Sequence, residues 1–304
     1  MSDWLHSIPV LWMAILVFGL TYLITAGIYA VITAFAVGER ARSFKAISPG
    51  MLSPLGIIFG LFVVFTAAQV WRDNEKARAE IDREASALRN VAILATIFPR
   101  ESQVQLRELI RRYIADVATQ EWPMMAQGTA NLRAIPGVLA EALQATLALN
   151  PSSEGQKTAQ RDIATALETA LDARRQRILI SESEVNLLKW ACLLIQAVSA
   201  LVAIAMVHSD NRLASIIAMG TFATGVAASI LLILAHDRPF TGEISIKPDP
   251  LLQVMPEISN IPHTVRYTEG VESRLTQGHS TLTAFFKASL NNLSASVAAA
   301  SDLK

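Results

Sequence analysis

Met51 to Trp71 reads MLSPLGIIFGLFVVFTAAQVW, an apolar stretch with no Lys, Arg, Asp or Glu. A helix of about 20 residues crosses a hydrocarbon layer of roughly 30 Å, so this stretch is long enough to span a membrane. Blocks at 9–37 and 213–235 share its character, and 188–207 does so apart from Lys189 at its start. One such block also suits a buried helix of a large soluble protein; four with charged flanks point to four membrane spans. The remainder of the 304 residues carries nearly all the charge, and formal net charge is zero. That balance suits neither a disordered chain nor a nucleic-acid binder, which leaves the lipid bilayer as the first partner. Met1 to His6 lacks the positive n-region of a signal peptide, and the first block is too long for an h-region, so it reads as a retained span. Cys192, the only cysteine, sits inside a span and excludes an intrachain disulfide.

Alternating spans put the N-terminus, region 72–187 and the C-terminal tail on one face, and loops 38–50 and 208–212 on the other. The first face holds Arg72, Lys76, Arg78, Arg83, Arg89, Arg174, Arg175, Arg177, Lys189, Arg238 and Lys247, against Arg40, Arg42, Lys45 and Arg212 opposite. The positive-inside tendency therefore favours a cytoplasmic N-terminus, helical domain and C-terminus. Trp71 and Trp190 stand at the domain-side ends of their spans, where either an interfacial belt or ordinary packing accounts for them.

Region 72–187 reads as four helices. Neither Pro nor Gly interrupts the chain between Gly60 and Phe98, so the second span can run on into the domain as one helix. Leu106, Leu109, Ile110, Tyr113, Ile114 and Val117 form the apolar stripe of the next helix, which should stop near Glu121-Trp122-Pro123 because proline disfavours helix in the residue before it. A third helix fits 129–148, kinked at Pro136-Gly137, and a fourth starts near 152. Beyond the last span, Pro239, Pro248, Pro250, Pro256 and Pro262 predict extended or turn structure along the domain over 236–263. The Ser- and Ala-rich tail, 264–304, has one apolar cluster, Leu282 to Leu290, compatible with a short helix or with disorder.

Catalytic signatures are missing. No Walker loop, dinucleotide fingerprint, HExxH or GxSxG occurs, and His6, His208, His236, His263 and His279 lack metal-ligand spacing, so no metal or cofactor is implied and a non-enzyme is favoured. Within the spans, Thr21, Thr25, Tyr29 and Thr33 recur every four residues, and Gln196, Ser199 and Ala203 form a second stripe, which suits interhelical hydrogen bonding. Gly220, Ala223, Gly225 and Ala227 suit close helix contact in the fourth span. In the domain Glu84 shares a face with Ile81, Leu88 and Val91, and Arg174 or Arg175 flanks the stripe Ile163, Leu167, Leu171 and Ile178. An inward carboxylate and guanidinium should pair, since an isolated buried charge is costly. A structural pair and a ligand or gating site built from Glu84, Glu121, Arg174 or Arg175 are both open.

Three stretches carry a family resemblance: Pro54-Leu55-Gly56-Ile57-Ile58-Phe59-Gly60 running on to Trp71, Glu121-Trp122-Pro123, and Asp237-Arg238-Pro239-Phe240-Thr241-Gly242. Over about 45–260 the chain resembles the bacterial DUF4239, or bestrophin-like, membrane proteins. More distantly it is similar to bestrophins, pentameric ion channels whose second membrane helix lines an apolar neck with the pattern I-P-L-S-F-V-L-G-F-Y. In that register Ser53, Ile57 and Leu61 take the neck positions, which lie along one helix face. Ile57 and Leu61 replace aromatic residues of that pattern, so selectivity does not carry across. Pro239-Phe240-Thr241-Gly242-Glu243 echoes the bestrophin P-F-G segment, but the following residues offer too few carboxylates for a calcium site of six or more oxygens.

The resemblance implies an all-α membrane protein: four transmembrane helices in two pairs (1–71 and 188–235) around a cytoplasmic helical domain (72–187), in the bacterial inner membrane. It further implies a homo-oligomer, pentameric in the related channels, passing inorganic ions through a neck at Ser53, Ile57 and Leu61, with Thr66 and Gln69 as polar contacts below. Helix packing through Gly56-xxx-Gly60, in a non-conducting scaffold whose domain binds a partner, is the alternative.

Overall fold

The computed structural model describes residues 8–35, 49–132 and 137–256. The loop 38–48, Pro262, the tail 264–304 with its Leu282–Leu290 cluster, and His6, His263 and His279 lie outside the described residues. The chain divides into two units, Met1–Glu257 and Ile258–Lys304, and all that follows concerns the first.

Among the described residues four helices are long and apolar enough to cross a membrane: α1 (Val10–Phe35), the first half of α2 (Leu52–Leu94), α7 (Leu187–Val207) and α8 (Arg212–His236). Helix α1 packs on α7 and α8, and the upper part of α2 packs on the same pair. The buried seam joins Met13 and Val17 of α1, Phe59 and Val70 of α2, Leu193 and Ala197 of α7, and Val226, Ala227 and Ile233 of α8. Side-chain caps fix the starts of α7 and α8, where Asn186 accepts from Leu188 N–H at 3.0 Å and Asn211 from Ala214 N–H at 3.1 Å.

The polar stripe of the first span behaves differently from expectation. Thr21, Thr25 and Thr33 hydroxyls bond the carbonyls of Val17, Thr21 and Tyr29, four residues back on their own helix, because that acceptor lies nearest and leaves no hydroxyl unsatisfied in lipid. The interhelical bond is made by Tyr22, whose hydroxyl lies 2.9 Å from that of Thr224 on α8. Nor do the glycines of α8 make its contacts: a Cβ at Gly220 or Gly225 would meet nothing within 4 Å, while Ala223 and Ala227 are fully buried. Trp190 is packed in the core at 6% exposure, whereas Trp71 is 49% exposed and stacks on His236 with ring centroids 5.4 Å apart.

Helix α2 runs without a break for 43 residues, about 65 Å, from the membrane into the domain. Its domain half buries Ala77, Ile81, Glu84, Ala85, Leu88 and Val91, and packs chiefly on α6 (Glu154–Ser181), whose own stripe is Ala159, Ile163, Ala166, Leu167, Ala170 and Ala173. Alanines on both helices permit this close contact. The Ser153 hydroxyl accepts from Gln156 N–H and starts α6. Helix α3 (Arg100–Asp116) adds Leu106, Leu109, Ile110, Tyr113 and Ile114 to the core, and α5 (Gly137–Leu147) adds Leu139 and Ala142.

Two expected helix boundaries move. The chain stays helical past Glu121, through a five-residue π-turn (Val117–Glu121) into α4 (Trp122–Ala126). Pro123 has no N–H to donate and its ring would clash with the carbonyl four residues back in a regular helix; the wider turn, closed by Trp122 N–H on Val117 O, accommodates it. Helix α4 then ends at Gly128, whose φ of +65° suits glycine alone among common residues. Residues 129–132 are consequently not helical, so the helix expected from 129 is broken there and its described part is α5 from Gly137; Pro136 of the expected kink lies outside the described residues. After α8 the chain turns back along the domain and forms a short helix, α9 (Asp249–Gln253), burying Phe240 and Leu251 in the domain core.

Candidate functional site

Ser53, Ile57 and Leu61 lie on a face of α2 that no other helix among the described residues covers. Ile57 is 66% and Leu61 53% exposed, and Val64, the next residue in the column, is equally open. The column continues past the membrane through exposed Glu75, Asp82 and Ser86, so apolar residues give way to polar ones along one line. Gly56 and Gly60 also face open space, with no atom within 4 Å of a built Cβ, so they pack against no helix among the described residues. Pro54 is exposed in the first turn of α2, where an amide donor is not needed.

Thr66 and Gln69 do not belong to this face. Thr66 is 4% exposed and donates its hydroxyl to Phe62 O at 2.9 Å. It stands nine residues beyond Ile57, about half a turn round the helix. Gln69 is half-buried and its amide oxygen accepts from the Lys189 ammonium on α7.

The second candidate lies where α2, α3, α4 and α6 meet. Glu84 and Arg177 are both 0% exposed and form a fork: Arg177 Nε donates to Glu84 Oε2 at 2.8 Å and Nη2 to Oε1 at 3.2 Å. Tyr113 donates its hydroxyl to Glu84 Oε1. Arg177 Nη2 reaches on to Glu121 Oε1 at 2.7 Å, and Arg174 Nε donates to Glu121 Oε2 at 2.7 Å. Two carboxylates and two guanidiniums therefore neutralise one another, with the Trp122 ring 4.9 Å from the Arg177 guanidinium carbon. Burial alone would lower the Arg177 pKa, but Glu84, Tyr113 and Glu121 raise it overall, so it stays charged. Burial, then the Glu84 charge, pushes the Tyr113 phenol well above its usual value and keeps it a donor.

Glu84 thus pairs with Arg177 instead of Arg174 or Arg175. Arg174 serves Glu121, and Arg175 faces solvent because it sits off the buried stripe. A cavity of about 220 Å³ lined by Tyr113, Val117, Gln120, Glu121, Val138 and Arg174 reaches the outer pair only. Among the described residues no three His, Cys, Asp or Glu side chains come together to hold a metal ion.

A strap after the last span ties the domain cluster to α1, α2 and the start of α7. Asp237 Oδ1 accepts from Val185 N–H, ahead of α7, at 2.8 Å, and Arg238 donates to Glu184 at 2.7 Å. Asn74 of α2 donates to His236 O at 2.8 Å. Phe240 meets Trp122 edge-on at 5.5 Å, Thr241 donates to Ala126 O at 2.9 Å, and Trp122 Nε1 donates to Ile246 O at 3.0 Å. Pro239 O closes the strap on Ile246 N–H at 2.8 Å, through a turn that needs Gly242 at φ +87°. Glu243 accepts from Val10 N–H at the start of α1 at 3.2 Å. Burial raises the Asp237 carboxyl above the usual range; the Val185 N–H opposes the shift, Glu184 adds to it and Arg238 subtracts.

Four apolar helices, one of them continuous with an all-helical domain and exposing an apolar column, define a multi-pass α-helical membrane protein. The chain belongs to the Bestrophin-like family, whose domain matches residues 9–251. A single-residue variant of a bacterial bestrophin homolog from Klebsiella pneumoniae has a TM-score of 0.61 at 12% identity, covering 80% of this chain and 97% of that one. A second variant of the homolog gives 0.60 at 14% identity, covering 82% and 98%. A third solved structure, described as a membrane protein, gives 0.57 at 13% identity, covering 79% and 95%. At such identities the likeness is one of fold. No curated protein matches the sequence.

Proposed function

We propose that the chain is one subunit of a homo-oligomeric, pentameric ion channel of the bacterial inner membrane, with N-terminus, helical domain and C-terminus in the cytoplasm. The α2 helices line the axis, Ser53 at the outer mouth and Ile57 and Leu61 forming a hydrophobic neck that gates inorganic ions by dewetting. The uncovered α2 column carries this reading: it is apolar at membrane depth and polar below, as a neck opening into a watery vestibule requires. The family and the fold neighbours support it, and it assigns no catalytic step.

Purified protein in planar bilayers tests the reading. Ile57→Ala with Leu61→Ala widens and wets the neck and should raise conductance several-fold over the parent. Absence of current from both proteins would contradict conduction. The cavity beside Glu121 and Arg174 favours a second reading, a non-conducting scaffold whose domain binds a partner. Stoichiometry separates the two: a symmetric ring with α2 at its centre belongs to the channel, a monomer or dimer to the scaffold.

A further inference from the structure

The domain-side end of the spans carries cations that join no ion pair among the described residues, although Asp73 and Glu75 share the turn of α2 that holds Arg72 and Lys76. Lys189, the third residue of α7, gives one ammonium hydrogen to Gln69 of α2, which leaves two for another acceptor. Arg72 lies three residues beyond Gln69 and Lys76 seven, so all three occupy one side of α2. The ion pairs among the described residues include none of Lys189, Arg72 and Lys76. Asp73, beside Arg72 in sequence, also joins no pair there, and Arg238 is already spent on Glu184.

The surroundings place these groups at a membrane boundary. Leu187 and Leu188, immediately before Lys189, are 71% and 70% exposed, so α7 presents apolar side chains outward from its first turn. Trp71 offers a half-exposed indole held in place by its stack on His236, the arrangement an aromatic side chain takes where hydrocarbon meets headgroups.

We propose that Lys189, Arg72 and Gln69 form a site for the phosphate of an anionic phospholipid, on the side of α2 away from Trp71. Phosphate oxygens take the free hydrogens of Lys189 and the Arg72 guanidinium, and the acyl chains run into the membrane along exposed Leu194 and Ile195, one heptad beyond Leu187 and Leu188. A choline headgroup would bring its own cation towards two others, so a zwitterionic lipid fits less well. The site needs the bilayer but not conduction, and it stands independently of the channel reading.

The full-length protein in neutral detergent is titrated with phosphatidylglycerol, phosphatidylcholine or inorganic phosphate, and bound lipid is counted by native mass spectrometry alongside Tm. Phosphatidylglycerol should bind more tightly and raise Tm more than phosphatidylcholine, and inorganic phosphate should do neither. A juxtamembrane Lys or Arg is worth about 1 kcal/mol towards anionic lipid, so Arg72→Gln with Lys189→Gln should weaken phosphatidylglycerol about thirtyfold and leave phosphatidylcholine unchanged. Lys189→Arg should retain binding. If the double variant fails to fold, Arg72→Gln alone, at an exposed and unpaired side chain, should show about a fivefold loss. Equal affinity of variant and parent for phosphatidylglycerol would overturn the proposal. Equal binding of the two lipids by the parent, or an effect of inorganic phosphate matching that of phosphatidylglycerol, would overturn it as well.

Discussion

Arg177 has no route to water: its fork on Glu84, its reach to Glu121 and the Trp122 ring enclose it. Removing one member of such a network leaves an uncompensated buried charge, which costs about 3–5 kcal/mol. Arg177→Met should therefore cost that much in denaturant unfolding, and adding Glu84→Gln should recover part of it, because Glu121 and Arg174 remain as a neutral pair. Additive losses would show that the two do not act together. Asp237 gives a pH test. Its folded pKa is raised above the unfolded value, so the folded state holds the proton more tightly and stability falls as pH rises through the interval above the ordinary carboxylate range. Asp237→Asn keeps an acceptor for Val185 N–H without the charge. It should raise Tm near pH 7.5, an advantage that shrinks near pH 4 as the parent carboxyl protonates; a lower Tm near pH 7.5 would contradict this. The inward face of Glu84 was legible from Ile81, Leu88 and Val91, but its partner was not. Arg177 lies ten residues from Leu167 and seven from Ala170, on the buried stripe, and that spacing would have singled it out over Arg175. The same angular count puts Thr66 half a turn round α2 from Ile57, so a polar contact there belongs to a different side of the helix from the neck column.

Helix α2 is the element that joins membrane and domain. Its continuity follows from a run without Pro or Gly from Leu61 to Phe98, and the sequence shows this directly. A proline inside it should cost about 3 kcal/mol or more. Ala79→Pro, at an exposed site midway along the domain half, should lower stability by that amount, whereas Ala79→Ser should cost well under 1 kcal/mol. Comparable losses for the two variants in denaturant unfolding would show that helix continuity is not what matters there. Boundaries were harder to read where proline sits inside a helix. A π-turn carries the chain past Pro123, and nothing local in Val117–Glu121 announces it. Threonine spacing in α1 predicted polarity on one face correctly but not its partner, since an own-helix carbonyl is always within reach of the hydroxyl.

At the scale of the whole molecule, four spans and a helical domain were legible because membrane and core impose different hydropathy on long segments, and the Bestrophin-like match agrees. The strap was legible only as a proline-rich stretch, since its bonds to α1, α2, α4 and the start of α7 join residues far apart in sequence. What the single chain leaves open on its surface, the α2 column with Gly56 and Gly60 beside it, is where further copies of the chain complete the proposed channel. A cryo-EM map of the intact protein in lipid measures this most directly. The account predicts a closed symmetric ring with α2 nearest the axis and the narrowest apolar radius at Ile57 and Leu61. A monomer or dimer, or a ring that turns these residues towards lipid, would contradict it.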